Sequence, residues 1–161
     1  MSDGKSSGSN DLDIWDDIFQ EVRRLFLDTA PLIYYVEKHP SYAKYLKPVF
    51  DRIDKGLLNA FTSPITLAEC LVHPYRLNLS ALQKDFFDLI VSGKNTVFVP
   101  IDQNISQKAA LLRASSNLSL ADAFQVATAL ASDCDVILTN DTDMKQIVDI
   151  KVIVLADVIK K

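Results

Sequence analysis

Short apolar runs alternate with amphipathic stretches along most of the chain. Five runs have the length of strands: 25–28 (LFLD), 60–63, 96–101 (TVFVPI), 136–139 (VILT) and 152–155 (VIVL). Helical spacing falls between them, over 31–38, 41–56, 66–75, 80–92, 104–115 and 119–132, with a short helix at 143–148. Pro31 suits the first turn of the first helix. Ser41 reads as the cap and Gly56 as the stop of the second, with Pro48 as a break or kink. Pro74 and Gly93 close the next two. This alternation predicts an α/β fold: a five-stranded parallel sheet flanked by helices on both faces. There are no repeats and no internal linker.

Residues 13–24 place Ile14, Ile18 and Val22 on one helical face, with Trp15 and Phe19 beside them. Such a helix either packs on its own domain or docks a second copy or a partner. Residues 1–10, rich in Ser and Gly, read as a flexible tail. The expected organisation is an N-terminal extension over 1–24 and one domain over 25–161.

Composition narrows the class. A chain of 161 residues, 48% hydrophobic and 24% charged, is no disordered segment, disulfide scaffold or collagen-like repeat. Cys70 and Cys134 lie in apolar surroundings, form no CxxC pair, and read as buried free thiols. No apolar run reaches the ~18 residues of a membrane span, and the polar start lacks a signal-peptide core. A cytoplasmic protein without a membrane partner is the expectation. The net charge of −4 argues at first against nucleic acid.

Acidic residues gather at the ends of the predicted strands. Asp28 closes the first, Glu69 lies a helical turn beyond the second, Asp122 stands in the first turn of the 119–132 helix, and Asp141 and Asp143 follow the fourth. Ligands of parallel sheets sit beyond the carboxyl ends of the strands. Each acid also has a structural role open to it. Thr66–Glu69 and Ser119–Asp122 both match a capping box, and Asp141 and Asp28 can each cap a following helix. The two readings are compatible. An Asp ending an apolar strand is nevertheless costly without a partner. Crowded carboxylates repel unless a proton or cation neutralises them, and hard oxygen ligands suit Mg²⁺ or Mn²⁺, as one ion or two. Such an ion supports phosphodiester hydrolysis. Asp28, Glu69, Asp122 and Asp141 are the expected catalytic and metal-binding set. Thr29, Thr139 and Asn140 are the expected supporting hydrogen-bond donors.

The segments LFLDTAPLIYYVE, TLAECLVHPYR, LSLADAFQVATALASDCDVILTND and DTDMKQI together resemble a PIN domain, most of all the VapC-type toxins of bacterial toxin–antitoxin pairs. The resemblance runs from about Leu25 to Val158. It implies a Mg²⁺- or Mn²⁺-dependent ribonuclease, a homodimer, and a small antitoxin protein that covers the site. The family's acidic positions fall on Asp28, Glu69, Asp122 and Asp141, its further acidic position on Asp143, which the resemblance makes a fifth metal ligand, and its polar residue before the last acid on Thr139. Two features depart from the pattern: some 24 residues precede the first strand, and Met144 stands where an aromatic residue is common.

Arg76, Arg52 and Lys55 are weaker candidates for contact with RNA phosphates, as are Lys44, Lys47 and Lys84. His39 and His73 sit beside prolines and are poor general bases. Tyr34, Tyr35, Tyr42 and Tyr45 read as helix-packing residues rather than base-stacking ones. A PIN-like module that binds RNA or protein without cleaving is the alternative. Haloacid-type phosphatases want a second Asp where Ala30 stands, and receiver domains want a Lys after the last strand. Residues 1–24 hold six acids and three bases, so most of the net charge lies there. With four acids assigned to the cluster, the rest of the domain carries about +3, which is compatible with RNA.

Overall fold

The structure, a computed structural model, describes residues 10–160. Of the expected tail over 1–10, residues 1–9 lie outside the described residues, and Asn10 is the first residue of a helix rather than part of a tail. Helix α1 (Asn10–Ile18) leads into β1 (Arg24–Leu27), followed by α2 (Thr29–Val36), α3 (Ala43–Asp54) and β2 (Asn59–Thr62). Next come α4 (Pro64–Arg76), α5 (Ser80–Ser92), β3 (Thr96–Phe98), α6 (Gln103–Ser115) and α7 (Leu120–Ala131). The chain continues with β4 (Val136–Thr139), a 3₁₀ turn (Thr142–Gln146), β5 (Lys151–Val154) and α8 (Leu155–Ile159).

The strands form one parallel sheet in the order β3-β2-β1-β4-β5. β1 is central, with Phe26 aligned to Phe61 on one side and Ile137 on the other. Successive strand residues face opposite ways. Leu25 and Leu27 enter a core built with Trp15, Leu32, Leu46, Phe86 and Leu155. Phe26 enters a second core with Phe61, Ile105, Val126, Ile137 and Met144. Both faces are therefore covered, which is why the strands read as unbroken apolar runs. Met144 is fully buried and fills the second core.

Several boundaries differ from the sequence expectation. The first helix stops at Ile18. It packs on its own domain: Trp15 is fully buried, its indole N–H donates to the Tyr45 carbonyl at 2.7 Å, and its ring stacks on Phe19. Ser41 is not a cap. Tyr42 holds that position in α3 without a side-chain bond, and Pro48 lies inside the helix. Four buried side chains, Leu46, Val49, Phe50 and Ile53, hold α3 to the core across that proline. α4 likewise continues past Pro74 to Arg76. β3 is only three residues long, ahead of Pro100. Helix α8 had no counterpart in the sequence reading. Cys70 is buried and Cys134 half-buried, both as free thiols, and burial raises both pKa values, that of Cys134 to about 12. Among the described residues, no helix is long and apolar enough to cross a membrane.

Candidate active site

The sheet order reverses at β1, because the chain builds outward to β2 and β3 and then returns to the other side for β4 and β5. A crevice opens at the carboxyl ends of strands where such a reversal occurs. Asp28, immediately after β1, occupies that place. It is 6% exposed, yet both its carboxylate oxygens are satisfied. Thr139, the last residue of β4, donates its hydroxyl to Oδ2 at 2.7 Å, and Gln125 of α7 donates Nε2 to Oδ1 at 3.2 Å. The Asp28 side chain makes no capping bond to α2. The buried acid is therefore held by side chains remote in sequence and not by its own helix.

Around it lies a cavity of about 500 Å³ whose wall includes Asp28, Thr29, Tyr34, Glu69, Asp122 and Asp141. Glu69 reaches it from α4 and accepts a hydrogen bond from the Thr29 hydroxyl at 3.0 Å. Ser63, not Thr66, caps α4: its hydroxyl accepts from the Thr66 N–H at 3.2 Å. Glu69 thus stands beyond the first turn, without a capping-box role. Asp122 is in the first turn of α7, where Ser119 caps its N–H at 3.1 Å. Asp141 does cap: its Oδ1 accepts from the Asp143 N–H at 2.9 Å, while its own N–H donates to Thr139 Oγ1 at 3.0 Å. Asn140 lines the cavity too, donating to the Tyr34 hydroxyl at 3.3 Å and accepting from the Ala156 N–H at 2.9 Å. That last bond ties α8 to the wall.

Burial raises the pKa of Glu69, opposed by the Thr29 hydrogen bond and reinforced by the Asp28 charge. Asp122 is pushed up to about 7, first by burial, then by a hydrogen bond with Asp141 and by the charges of Asp28 and Asp141. Two carboxyl groups can hydrogen-bond only by sharing a proton. As the side chains lie, no group of three or more acids, histidines or cysteines among the described residues is close enough to enclose an ion. The donor chemistry nevertheless fits a hard divalent cation. Four carboxylates face one cavity, and two of them already need a positive charge between them.

A consequence can be measured without metal. The pKa of Asp122 is higher in the fold than its ordinary 3.8. Its contribution to stability is therefore full below 3.8 and is lost as pH rises through about 7. Asp122→Asn removes that loss. In EDTA, urea unfolding of Asp122→Asn should show a smaller fall in stability across this window than the wild type, and equal falls would contradict the crowding.

Other candidates lie elsewhere. Asp143 is exposed and does not line the cavity, because the 3₁₀ turn carries it outward and Thr142 takes the wall position. Arg52 and Lys55 border a separate cavity with Asp16 and Leu57. Arg52 is bound by Asp16 and by the Pro48 carbonyl. Both precede β2 and so sit at the amino-terminal edge of the sheet, away from the acids. Arg76 is exposed seven residues after Glu69, about 10 Å along the same face of α4. Sequence reading missed Gln125, whose signal was a lone amide in an Ala-rich helix three residues after Asp122. It also assigned Tyr34 to packing alone. Tyr34 does stack on Tyr42, at 4.7 Å, and lines the acid cavity as well. A larger cavity of about 710 Å³, bordered by Tyr35, Lys44, Asp85 and Leu89, contains none of Asp28, Glu69, Asp122 and Asp141.

The family model for the PIN domain matches residues 25–150. The chain belongs to the PIN domain family. The match begins at the second residue of β1 and ends in the turn before β5, so α1 and α8 flank it. No curated protein sequence matches the chain. Solved structures share its fold at low identity. One chain of VapBC2 from Rickettsia felis, bound to a DNA fragment from its promoter, is 16% identical with a TM-score of 0.63, covering 81% of this chain and 97% of that one. A chain of FitAB bound to an IR36 DNA fragment is 20% identical with a TM-score of 0.65, covering 81% and 94%. A chain of a toxin–antitoxin complex from Klebsiella pneumoniae is 20% identical with a TM-score of 0.61, covering 81% and 97%.

Proposed function

We propose that this PIN domain is a Mg²⁺- or Mn²⁺-dependent endoribonuclease, the toxin of a toxin–antitoxin pair, acting as a homodimer. The observation that carries the reading is the set of four carboxylates, Asp28, Glu69, Asp122 and Asp141, facing one cavity at the switch point of a parallel sheet. Family membership and the toxin–antitoxin naming of the structural neighbours support it. The four acids would hold the ion, which when bound supplies a positive charge for the scissile phosphate and lowers the pKa of a water. Thr139 and Gln125 keep Asp28 oriented, and Thr29 keeps Glu69 oriented. Asp122 and Asp141 must release the proton between them before both can act as ligands. Arg76, exposed farther along α4, would meet a phosphate of the RNA strand. The cognate antitoxin would be a separate small protein covering the cavity.

Incubation with mixed-sequence single-stranded RNA in millimolar Mn²⁺ should give internal cleavage that EDTA stops and Mn²⁺ restores. Asp122→Asn should lower the rate at least about tenfold, a loss of about 1.4 kcal/mol of transition-state stabilisation. RNA bound but left intact by the wild type would instead identify a binding module.

A further inference from the structure

We propose that Gln125 is a positioning residue that spaces the four carboxylates for cation binding. The inference rests on the metal-dependent reading above and extends it to a side chain outside the acid set. Gln125 is fully buried in a helix whose other buried members are mostly small and apolar. A buried amide is costly unless it is bonded, and this one is bonded on both sides. Its Oε1 accepts from the Ser63 hydroxyl at 2.5 Å, and its Nε2 donates to Thr66 Oγ1 at 2.7 Å and to Asp28 Oδ1 at 3.2 Å. The direction of the amide follows from its neighbours. Flipping it would turn Oε1 toward the Asp28 carboxylate, oxygen against oxygen.

The network joins the elements that carry the acids. Ser63 and Thr66 belong to the start of α4, which presents Glu69. Gln125 lies one turn after Asp122 on α7. Asp28 follows β1. One neutral side chain thereby fixes the α4 and α7 acids relative to Asp28, while Thr139 does the same for Asp141 from β4. Like charges at such a site separate unless uncharged groups hold them. A cation site built from them gains affinity from that prior arrangement, and outer-shell hydrogen bonds of this kind typically contribute ten- to hundredfold, about 10–100, in metal affinity.

The test uses the full chain with Gln125→Met, which keeps volume and removes both polar ends. Mn²⁺ binding is read from the electron paramagnetic resonance of the free ion, alongside circular dichroism. Folded Gln125→Met should bind Mn²⁺ about tenfold more weakly. The Mn²⁺ concentration for half-maximal RNA cleavage should rise by the same factor, with the maximal rate recovered at saturation. Unchanged Mn²⁺ affinity in the folded variant overturns the proposal, since a filler residue would alter stability alone. Should Gln125→Met not fold, Thr66→Val retains Gln125 and removes one anchor. A weaker Mn²⁺ affinity there supports the proposal and an unchanged one overturns it. A wild type that binds no Mn²⁺ overturns the metal reading itself, which the variant comparison keeps separate.

Discussion

Asp28→Asn should lower RNA cleavage at least about 100-fold, equivalent to about 2.7 kcal/mol of transition-state stabilisation, while the protein stays folded. The side chain keeps its shape and loses its charge at the buried centre of the acid cavity. Its two partners are asymmetric. Gln125 can only donate to it, so the amide oxygen must face Gln125 and the new N–H₂ must face Thr139. Thr139 Oγ1 already accepts from the Asp141 N–H, and a hydroxyl oxygen has room for a second donor. The cost is one displaced hydroxyl proton, on the order of 1 kcal/mol, offset by removing a charge that repels Glu69 and Asp122. Urea unfolding within about 2 kcal/mol of wild type, beside the lost activity, is the expected pair of results. Cleavage retained at a quarter or more of the wild-type rate would remove Asp28 from the reaction.

The second large effect belongs to the helix outside the family match. Trp15→Ala should destabilise the protein by about 3–5 kcal/mol, the range for emptying a buried aromatic site. Trp15 lies in the main core, stacks on Phe19 at 4.9 Å and spends its N–H on the Tyr45 carbonyl. Asp16 adds an ion pair to Arg52 on α3. Partly exposed pairs of this kind contribute only about 0–1 kcal/mol, so the apolar contact dominates. A chemical-denaturation change under about 1 kcal/mol would mean that α1 is not docked in solution.

The strands were legible because both faces of each central strand are buried. Leu25, Phe26 and Leu27 leave no polar alternation to confuse with a helix. The acids were legible because strand ends place them, and caps could be weighed against ligands only residue by residue. Asp28 and Glu69 proved free of caps, whereas Asp141 serves its turn as well as the cavity. What the pattern hid has physical reasons. Ser63 and Thr66 both fit a helix start, and the deciding cue was Pro64, which suits the first helical position. α8 is five residues long and begins directly after β5, too short for periodicity to register. Arg52 and Lys55 looked available because charge carries no record of which end of the sheet it occupies. Their position just before β2 was the topological clue.

Distance along the chain gives the cavity a further property. The bonds that hold Asp28 span 97 residues to Gln125 and 111 to Thr139. β1, emerging first from a ribosome, waits for β4 before its acid has partners. Contacts of such separation make folding slow. They also mean that a chain arrested before β4 can carry α2 through α6 and still lack an assembled acid cavity. Assembly of the cavity therefore waits for β4, and the cleavage proposed above would begin no earlier than the bond from Thr139 to Asp28.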